Sequence, residues 1–353
     1  MLFDGQISSP QSRRRVVVVD EYVERLHGSR IRNYFQAHQF ECKIVSLTVT
    51  EDNKSMDTVF QVLEALNKFE VSRRSEPVIA IGGGVLMDIV GLAANLFRRG
   101  VPYIRIPTTL LGVVDAAIGA KTAVNFQGYK NRIGTFYPPL AAILDITMLQ
   151  SLSDRQISNG IAEILKIALI KDAELFDLLE KYGVSMLSEK CQGNAAKPII
   201  RRSVQGMVED LASNLWETKL ERLVDFGHTF CPIIELSAIP KVLHGEAVAI
   251  DMAISVMLSY QRGFLSYRDV ERVYNLMKAV KLPLMHPVCT PDLLYEALQS
   301  TTCHRNGLQR APMPVSIGEA QFFNDLTYEE IASAVNAIAQ QELPQIAMQS
   351  SAV

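Results

Sequence analysis

The sequence predicts an α/β protein: a parallel-sheet domain over residues 1–146, followed by an all-α domain over residues 147–353. Three observations carry that prediction. Short β-branched runs alternate with amphipathic stretches early in the chain, a glycine triplet follows the third run, and from Thr147 long amphipathic stretches with few β-branched runs take over. With 353 residues and 48% hydrophobic content, the chain is long enough to bury a core in each domain.

The strand runs are Val16 to Val19, Lys43 to Leu47, Pro77 to Ile81, Tyr103 to Ile106 and Ala141 to Leu144. Between them, Val23 to Ala37, Met56 to Phe69 and Leu86 to Arg98 read as helices, as a covered parallel sheet requires. The second domain reads as helices at Ile157 to Leu169, Ala173 to Tyr182, Pro198 to Leu211, Glu246 to Arg262, Tyr267 to Val280 and Tyr328 to Gln341. No internal repeat or low-complexity segment interrupts them, and Gln345 to Val353 reads as a frayed tail.

A net charge of -3 gives no general attraction to nucleic acid or to an anionic membrane, so anion binding must come from local clusters. The five cysteines are widely spaced with no CxxC pair, which reads as a reduced, cytoplasmic protein. The first twenty residues lack the order and apolar length of a signal peptide, and no apolar stretch reaches the roughly 18 residues that span a bilayer.

Ile81-Gly82-Gly83-Gly84-Val85-Leu86-Met87-Asp88 ends a strand and opens a helix, so the free amides of that helix can hold a phosphate or pyrophosphate. Glycine permits the close approach. The motif is not a strict GxGxxG, and plain strand-to-helix geometry is the alternative. Asp20 closes the first strand and is a candidate for a ribose hydroxyl, with a helix cap as its competing role. Downstream, Gly119-Ala120-Lys121-Thr122 and Tyr129-Lys130-Asn131-Arg132 interleave cations with glycine as a phosphate-bearing substrate would need; a solvated loop is the alternative.

Glu163 and Lys166 stand three apart in an apolar segment and share a helix face, either as a structural bridge or as site residues. His228 and His244, sixteen apart, each have a glycine neighbour. Two imidazoles and the Glu163 carboxylate would make a three-ligand set that leaves a divalent metal an open position. Taken singly, each histidine reads more readily as structural than as a ligand; two in glycine-flanked settings within one helical domain bring the metal reading level with it.

These residues together resemble the sugar phosphate cyclases, of which 3-dehydroquinate synthase is the best-known member. The resemblance covers most of the chain, through Glu51-Asp52-Asn53-Lys54, GGGVLMDIVG, RIPTTLLGVVDAAIGAKTAVN, YKNRIG, NGIAEILKIALI, DFGHT and LHGEAVAIDM. It implies a Rossmann-like NAD-binding domain, a helical metal-binding domain and an active site in the cleft between them. Glu163, His228 and His244 then match zinc ligands, with cobalt able to stand in. Gly83, Gly84, Asp88, Thr108 and Thr109 match NAD positions, joined by Glu51 and Lys54. Asp115, Lys121, Lys130, Asn131 and Lys166 match substrate positions. In such enzymes NAD takes a hydride, the resulting ketone acidifies the adjacent C–H, and phosphate is eliminated. The hydride then returns, the ring opens and an intramolecular aldol closes a carbocycle.

The departures from the dehydroquinate-forming pattern are Asp225 in place of asparagine, Pro232 in place of a second histidine, and Met207 and Glu221 near positions that are otherwise basic. That loss of cations, with an acid added, suits a neutral polyol end in place of a carboxylate. Such a substrate is sedoheptulose 7-phosphate. Tyr137-Pro138-Pro139 and the segment from His304 to Pro312 resemble the 2-epi-5-epi-valiolone synthases within that group, which adds Asp225 and His304 to the substrate set. The alternatives are the synthases of desmethyl-4-deoxygadusol or 2-epi-valiolone, then 3-dehydroquinate synthase, then a metal-dependent polyol dehydrogenase, and last an inactive relative. The resemblance also implies a homodimer, and the charge argues against nucleic-acid or membrane partners; a start close to the first strand, without the leading hairpin of longer relatives, reads as a further departure that bears on dimer formation.

Overall fold

A computed structural model describes residues 12–349, in two compact units that divide after Leu149. In the first unit, β1 (Arg14–Asp20), α1 (Glu21–Ala37), β2 (Glu41–Leu47), α2 (Met56–Lys68), β3 (Val78–Gly82), α3 (Gly84–Leu96) and β4 (Tyr103–Pro107) alternate. A hairpin of β5 (Lys121–Phe126) and β6 (Tyr129–Phe136) follows, and then the two-residue β7 (Ala141–Ala142). The main sheet is parallel, in the order β2-β1-β3-β4-β7.

The valine run shows why the sheet is sandwiched. Val16 and Val18 enter a core with residues of α2 and α3, while Val17 and Val19 enter a second core with Val23, Ile31 and Phe35 of α1. Alternate side chains leave opposite faces of a strand, so a helix layer must cover each. Each fully buried valine contributes about 1.5–3 kcal/mol. The chain moves from β1 to β2 on one side and returns to β3 on the other, so the order reverses between β1 and β3. Crevices for ligands form at the carboxyl ends of strands at such a reversal. Asp20 and Gly82 end these two strands, and a Cβ built on Gly82 would lie 3.3 Å from that of Asp20.

The β5–β6 hairpin was not foreseen; the cations in this stretch read as loop. Its two-residue turn is Gln127-Gly128, both with positive φ, 50° and 80°, as the tight hairpin turns require. Gln-Gly is a weaker signal than Asn-Gly. The hairpin puts Lys121 on β5 and Lys130 and Asn131 on β6, where the pairing is irregular and Asn131 has a positive φ of 51°.

The second unit contains α4 (Asp154–Lys171), α5 (Ala173–Ser188), α6 (Ala196–Ala212), α7 (Cys231–Ser237), α8 (His244–Gln261), α9 (Tyr267–Ala279), α10 (Pro291–His304), β8 (Ala311–Ser316), β9 (Glu319–Phe323) and α11 (Tyr328–Gln349). α4 is buried from Ile157 to Ile170, and α8 is buried over nearly its whole length. Helices closed off on all sides form the centre, and the others pack around them. The domain is helical as expected, with one added hairpin, β8–β9. Pro312 and Pro314 hid β8, since proline argues against a strand interior; here it sits in a two-stranded ribbon. The missed α10 carries a readable start, Thr290 as cap and Pro291 in the first turn. The expected tail from Gln345 continues α11 to Gln349, and 350–353 lie outside the described residues. Among the described residues, no helix is long and apolar enough to cross a membrane.

Arg105 on β4 is fully buried. It donates to the carbonyls of Ala116 (3.0 Å), Gly119 (2.6 Å) and Lys121 (3.0 Å), and so clamps the segment that carries Asp115 and Lys121. Arg105→Met leaves three inward carbonyls without their donor and should lower the unfolding free energy by about 3 kcal/mol in urea titrations. A loss below about 1 kcal/mol would contradict the clamp.

Candidate nucleotide loop and metal centre

In the first unit the glycine loop forms the N-terminus of α3. Gly83 is its cap residue and offers no side chain to the first-turn amides. A cap without a side chain leaves those amides open to an anion. A Cβ built on Gly83 would meet Thr109 Cγ2 at 3.4 Å, and one on Gly84 would meet Ala116 Cβ at 3.2 Å, so the loop lies flush against the segment after β4. Thr109 Oγ1 accepts from the Gly112 amide at 3.0 Å, and the Thr108 amide donates to Gly82 O at 2.9 Å. Asp20 does cap α1, accepting from the amides of Tyr22 (2.9 Å) and Val23 (3.3 Å).

A polar network runs beside this loop. Lys54, only 4% exposed, donates to Asp88 at 2.5 Å and to Asn131 at 2.6 Å. The Asn131 amide donates to the Asn125 side chain at 2.9 Å, which in turn donates to Glu51 at 3.0 Å. Lys130 stands 3.8 Å from the same Glu51 carboxylate. Glu51, Lys54, Asp88, Lys130 and Asn131, far apart in sequence, are therefore brought together. Asp115 lies in a π-helical turn, and Lys121 is exposed at the start of β5.

In the second unit, Glu163, His228 and His244 present ligand atoms within 4.8 Å of one another. Nε2 of His244 lies 3.4 Å and Nε2 of His228 3.9 Å from Glu163 Oε1, and the two rings are 5.2 Å apart. Lys166 Nζ approaches Glu163 Oε2 to 2.5 Å as an ion pair. Neither carboxylate oxygen has an aligned hydrogen bond, although Glu163 is wholly buried. A buried carboxylate that pairs with Lys166 through Oε2 and turns Oε1 toward two imidazole nitrogens fits a divalent ion of the zinc type.

The electrostatics of Glu163 and His228 agree with ligation. Burial opposes charge on Glu163, but Lys166 and the two histidines outweigh it and hold the carboxyl well below its usual range. Desolvation, helped by Lys166, pushes His228 down to about 4, so it is neutral at pH 7 and has a lone pair to give. His244 is likewise disfavoured by burial, yet its hydrogen-bond partners raise it well above the ordinary value.

Backbone detail assembles the triad. Gly227 has φ 75°, the left-handed turn that delivers His228. The Gly245 amide donates to Asn159 Oδ1 at 2.6 Å, locking the start of α8 against α4 one turn before Glu163. A Cβ on Gly245 would fall 2.0 Å from the Asn159 carbonyl oxygen. Asp251 of α8, fully buried, accepts from the amides of Phe230 (2.5 Å) and Cys231 (2.9 Å) and ties down the chain after His228. Burial pushes its carboxyl up to about 6.

Asp225 is closely paired. Arg222 grips both its oxygens and also reaches Glu217, and Arg305 stands 3.6 Å from Asp225 Oδ2. Met207 and Glu221 stand where the sequence reads as lacking basic residues, and the two arginines beside Asp225 are both paired with acids. The (i,i+3) spacing of Arg222 and Asp225 was the readable signal. The side chain of His304 lies outside the described residues. Sequence reasoning also missed Arg105 and Asn159, whose work depends on carbonyls and amides distant in the chain.

Gly245→Ala should force α8 away from α4 and lower divalent-metal binding at least tenfold, measured by chelator competition on the folded variant. Retained affinity would show that the close approach is dispensable.

The chain matches the 3-dehydroquinate synthase N-terminal family over residues 44–159 and its C-terminal family over residues 160–302. It is 49% identical over 347 residues to a 2-epi-5-epi-valiolone synthase of Streptomyces hygroscopicus subsp. jinggangensis, covering 97% of this chain and 84% of the relative. Identity to a 2-epi-5-epi-valiolone synthase of an Actinoplanes species is 50% over 353 residues, covering 98% and 88%. The solved structure of ValA, the 2-epi-5-epi-valiolone synthase of Streptomyces hygroscopicus subsp. jinggangensis with NAD+ and Zn2+ bound, superposes with a TM-score of 0.91 at 50% identity, covering 93% of this chain and 91% of that one. With the glycine loop, the triad of Glu163, His228 and His244, and matched domains spanning residues 44–302, the chain belongs to the 3-dehydroquinate synthase family of sugar phosphate cyclases.

Proposed function

We propose that this chain is a zinc- and NAD-dependent cyclase that converts sedoheptulose 7-phosphate to 2-epi-5-epi-valiolone with release of phosphate. The observation that carries the reading is the triad Glu163, His228 and His244 with Lys166 against it, in a chain half identical to 2-epi-5-epi-valiolone synthases. Bound zinc supplies Lewis-acid polarisation of a substrate oxygen and bound NAD a reversible hydride acceptor, so the net reaction is redox-neutral.

The roles of the residues follow from their chemistry. Glu163, His228 and His244 would hold the ion. The open amides of α3, with Gly83 and Gly84, would receive the pyrophosphate of NAD, with Thr108, Thr109, Glu51, Lys54, Asp88 and Asp20 around them. Lys121, Lys130 and Asn131 bind and orient the phosphate and offset the charge that develops as it leaves. Lys166 keeps Glu163 ionised and adds positive charge beside the reacting oxygen. Asp115 is assigned to the substrate hydroxyls, and His304 keeps its place in the substrate set on resemblance alone. These assignments require the nucleotide and the metal to act on one substrate held between the two domains, 1–146 and 147–353.

Asp225 and its neighbours favour the neutral sugar. Arg222 and Arg305 are already paired with acids, so a substrate carboxylate would have to displace Asp225 or Glu217 to reach them. Polyol hydroxyls can bond to the paired carboxylate without breaking the pair. We further infer a cytoplasmic homodimer; the five free cysteines support a reducing compartment.

Incubation with sedoheptulose 7-phosphate, NAD and zinc should release phosphate and yield 2-epi-5-epi-valiolone by NMR. No phosphate release would sink the proposal. A different cyclitol would reassign the product to the gadusol or 2-epi-valiolone type, and accumulating NADH would mark a polyol dehydrogenase. Lys121→Met and Lys166→Met should each cut turnover about 100-fold or more while NAD affinity changes less than about threefold, since loss of charge compensation acts on the reaction. Equal losses in both quantities would contradict those roles.

A further inference from the structure

Both imidazoles of the triad turn their second nitrogen away from Glu163, and the two nitrogens meet different partners. His228 Nδ1 lies 3.0 Å from the Phe226 carbonyl oxygen. His244 Nδ1 lies 3.0 Å from Glu235 Oε1 and 4.0 Å from Cys231 Sγ. A carbonyl or an ionised carboxylate can only accept, so Nδ1 donates in each case and Nε2, the atom facing Glu163, is left to ligate.

Glu235 is built into place. Its side chain is 9% exposed, and a carboxylate so withdrawn from water needs fixed partners. It sits on α7, whose first turn is anchored through the Phe230 and Cys231 amides to Asp251 of α8. His244 is the first residue of that same α8. The carboxylate and the imidazole are thus held on two elements already tied together through the interior.

We propose that Glu235 is a positioning residue for the metal centre: it fixes the tautomer and ring plane of His244 so that Nε2 points at the ion. As an anion it also makes His244 a stronger donor than His228, whose partner is a neutral carbonyl. The inference rests on the reading that Glu163, His228 and His244 hold zinc. Cys231, Glu235 and His244 also form a group with ligand atoms within 4.8 Å, so an ion of their own is the competing arrangement. That ion would use Nδ1, the nitrogen Glu235 now engages.

The test compares the full-length protein with Glu235→Ala and Glu235→Gln, each stripped of metal and titrated with Zn2+ against a chromophoric chelator. Cobalt-loaded samples are followed by visible absorption. The wild type should bind one equivalent. Glu235→Ala should bind zinc about 10- to 100-fold more weakly and shift the cobalt bands, whereas Glu235→Gln, which keeps an acceptor but not the charge, should lose less. NAD affinity and the melting temperature of the metal-free protein should stay unchanged, as a merely structural role would not allow. If Glu235→Ala does not fold, Glu235→Gln carries the comparison. Unchanged zinc affinity and cobalt spectrum in a folded variant overturn the proposal. So does a fall from two equivalents to one, which would make Glu235 a ligand. A wild type that binds no zinc overturns the metal reading itself, and this inference with it.

Discussion

A carboxylate in the middle of a buried helix governs the second unit. Glu163 has no access to water, and an uncompensated charge there would cost several kcal/mol. Lys166 compensates part of it from the same helix face, and two imidazoles approach the other oxygen. Each approach needs a backbone device: the left-handed Gly227 before His228, and the contact of Gly245 with Asn159 beneath His244. The two central helices are apolar around this point because the charge must be met by chosen groups and not by solvent. The same desolvation that makes the carboxylate costly strengthens its attraction for a cation at Oε1, the oxygen that Lys166 does not pair.

The first unit solves a related problem with buried cations. Arg105 is spent on three backbone carbonyls and holds the segment from Ala116 to Lys121 against β4. Lys54 is spent on Asp88 and Asn131 and joins the hairpin to the helix that follows the glycine loop. Neither cation faces solvent. Their structural effect is to fix the β5–β6 hairpin and the segment before it against β4 and α3, the preorganisation that the proposed phosphate site would use.

The cluster around Asp225 separates presence of charge from availability of charge. Arg222 and Arg305 would make an inviting site for a carboxylate if they stood alone; Asp225 and Glu217 occupy them. A substitution from asparagine to aspartate thus acts through its neighbours as well as through its own acceptor oxygens. On the proposed reading, a rival substrate carboxylate would have to break an internal pair before it could bind there.

Strand runs, the glycine turn and the long helical segments were legible because each expresses a local period: two along a strand, 3.6 along a helix, and a glycine where a side chain would block the backbone. The five parallel strands fall where the β-branched runs lie, and the carboxylate and two histidines stood out by their apolar or glycine-flanked settings. The β5–β6 and β8–β9 hairpins escaped because Gln-Gly and a proline pair are weak or contrary signals. Arg105, Asn159, Arg222 and Glu235 escaped for a different reason. What each does depends on a carbonyl, an amide or a ring nitrogen brought near by the fold, or on what its neighbour is already bonded to. A sequence by itself thus determines which elements form and which residue types are available for chemistry. Only tertiary structure decides which charges are spent on each other and which remain for a ligand, because burial and pairing belong to neighbours in space.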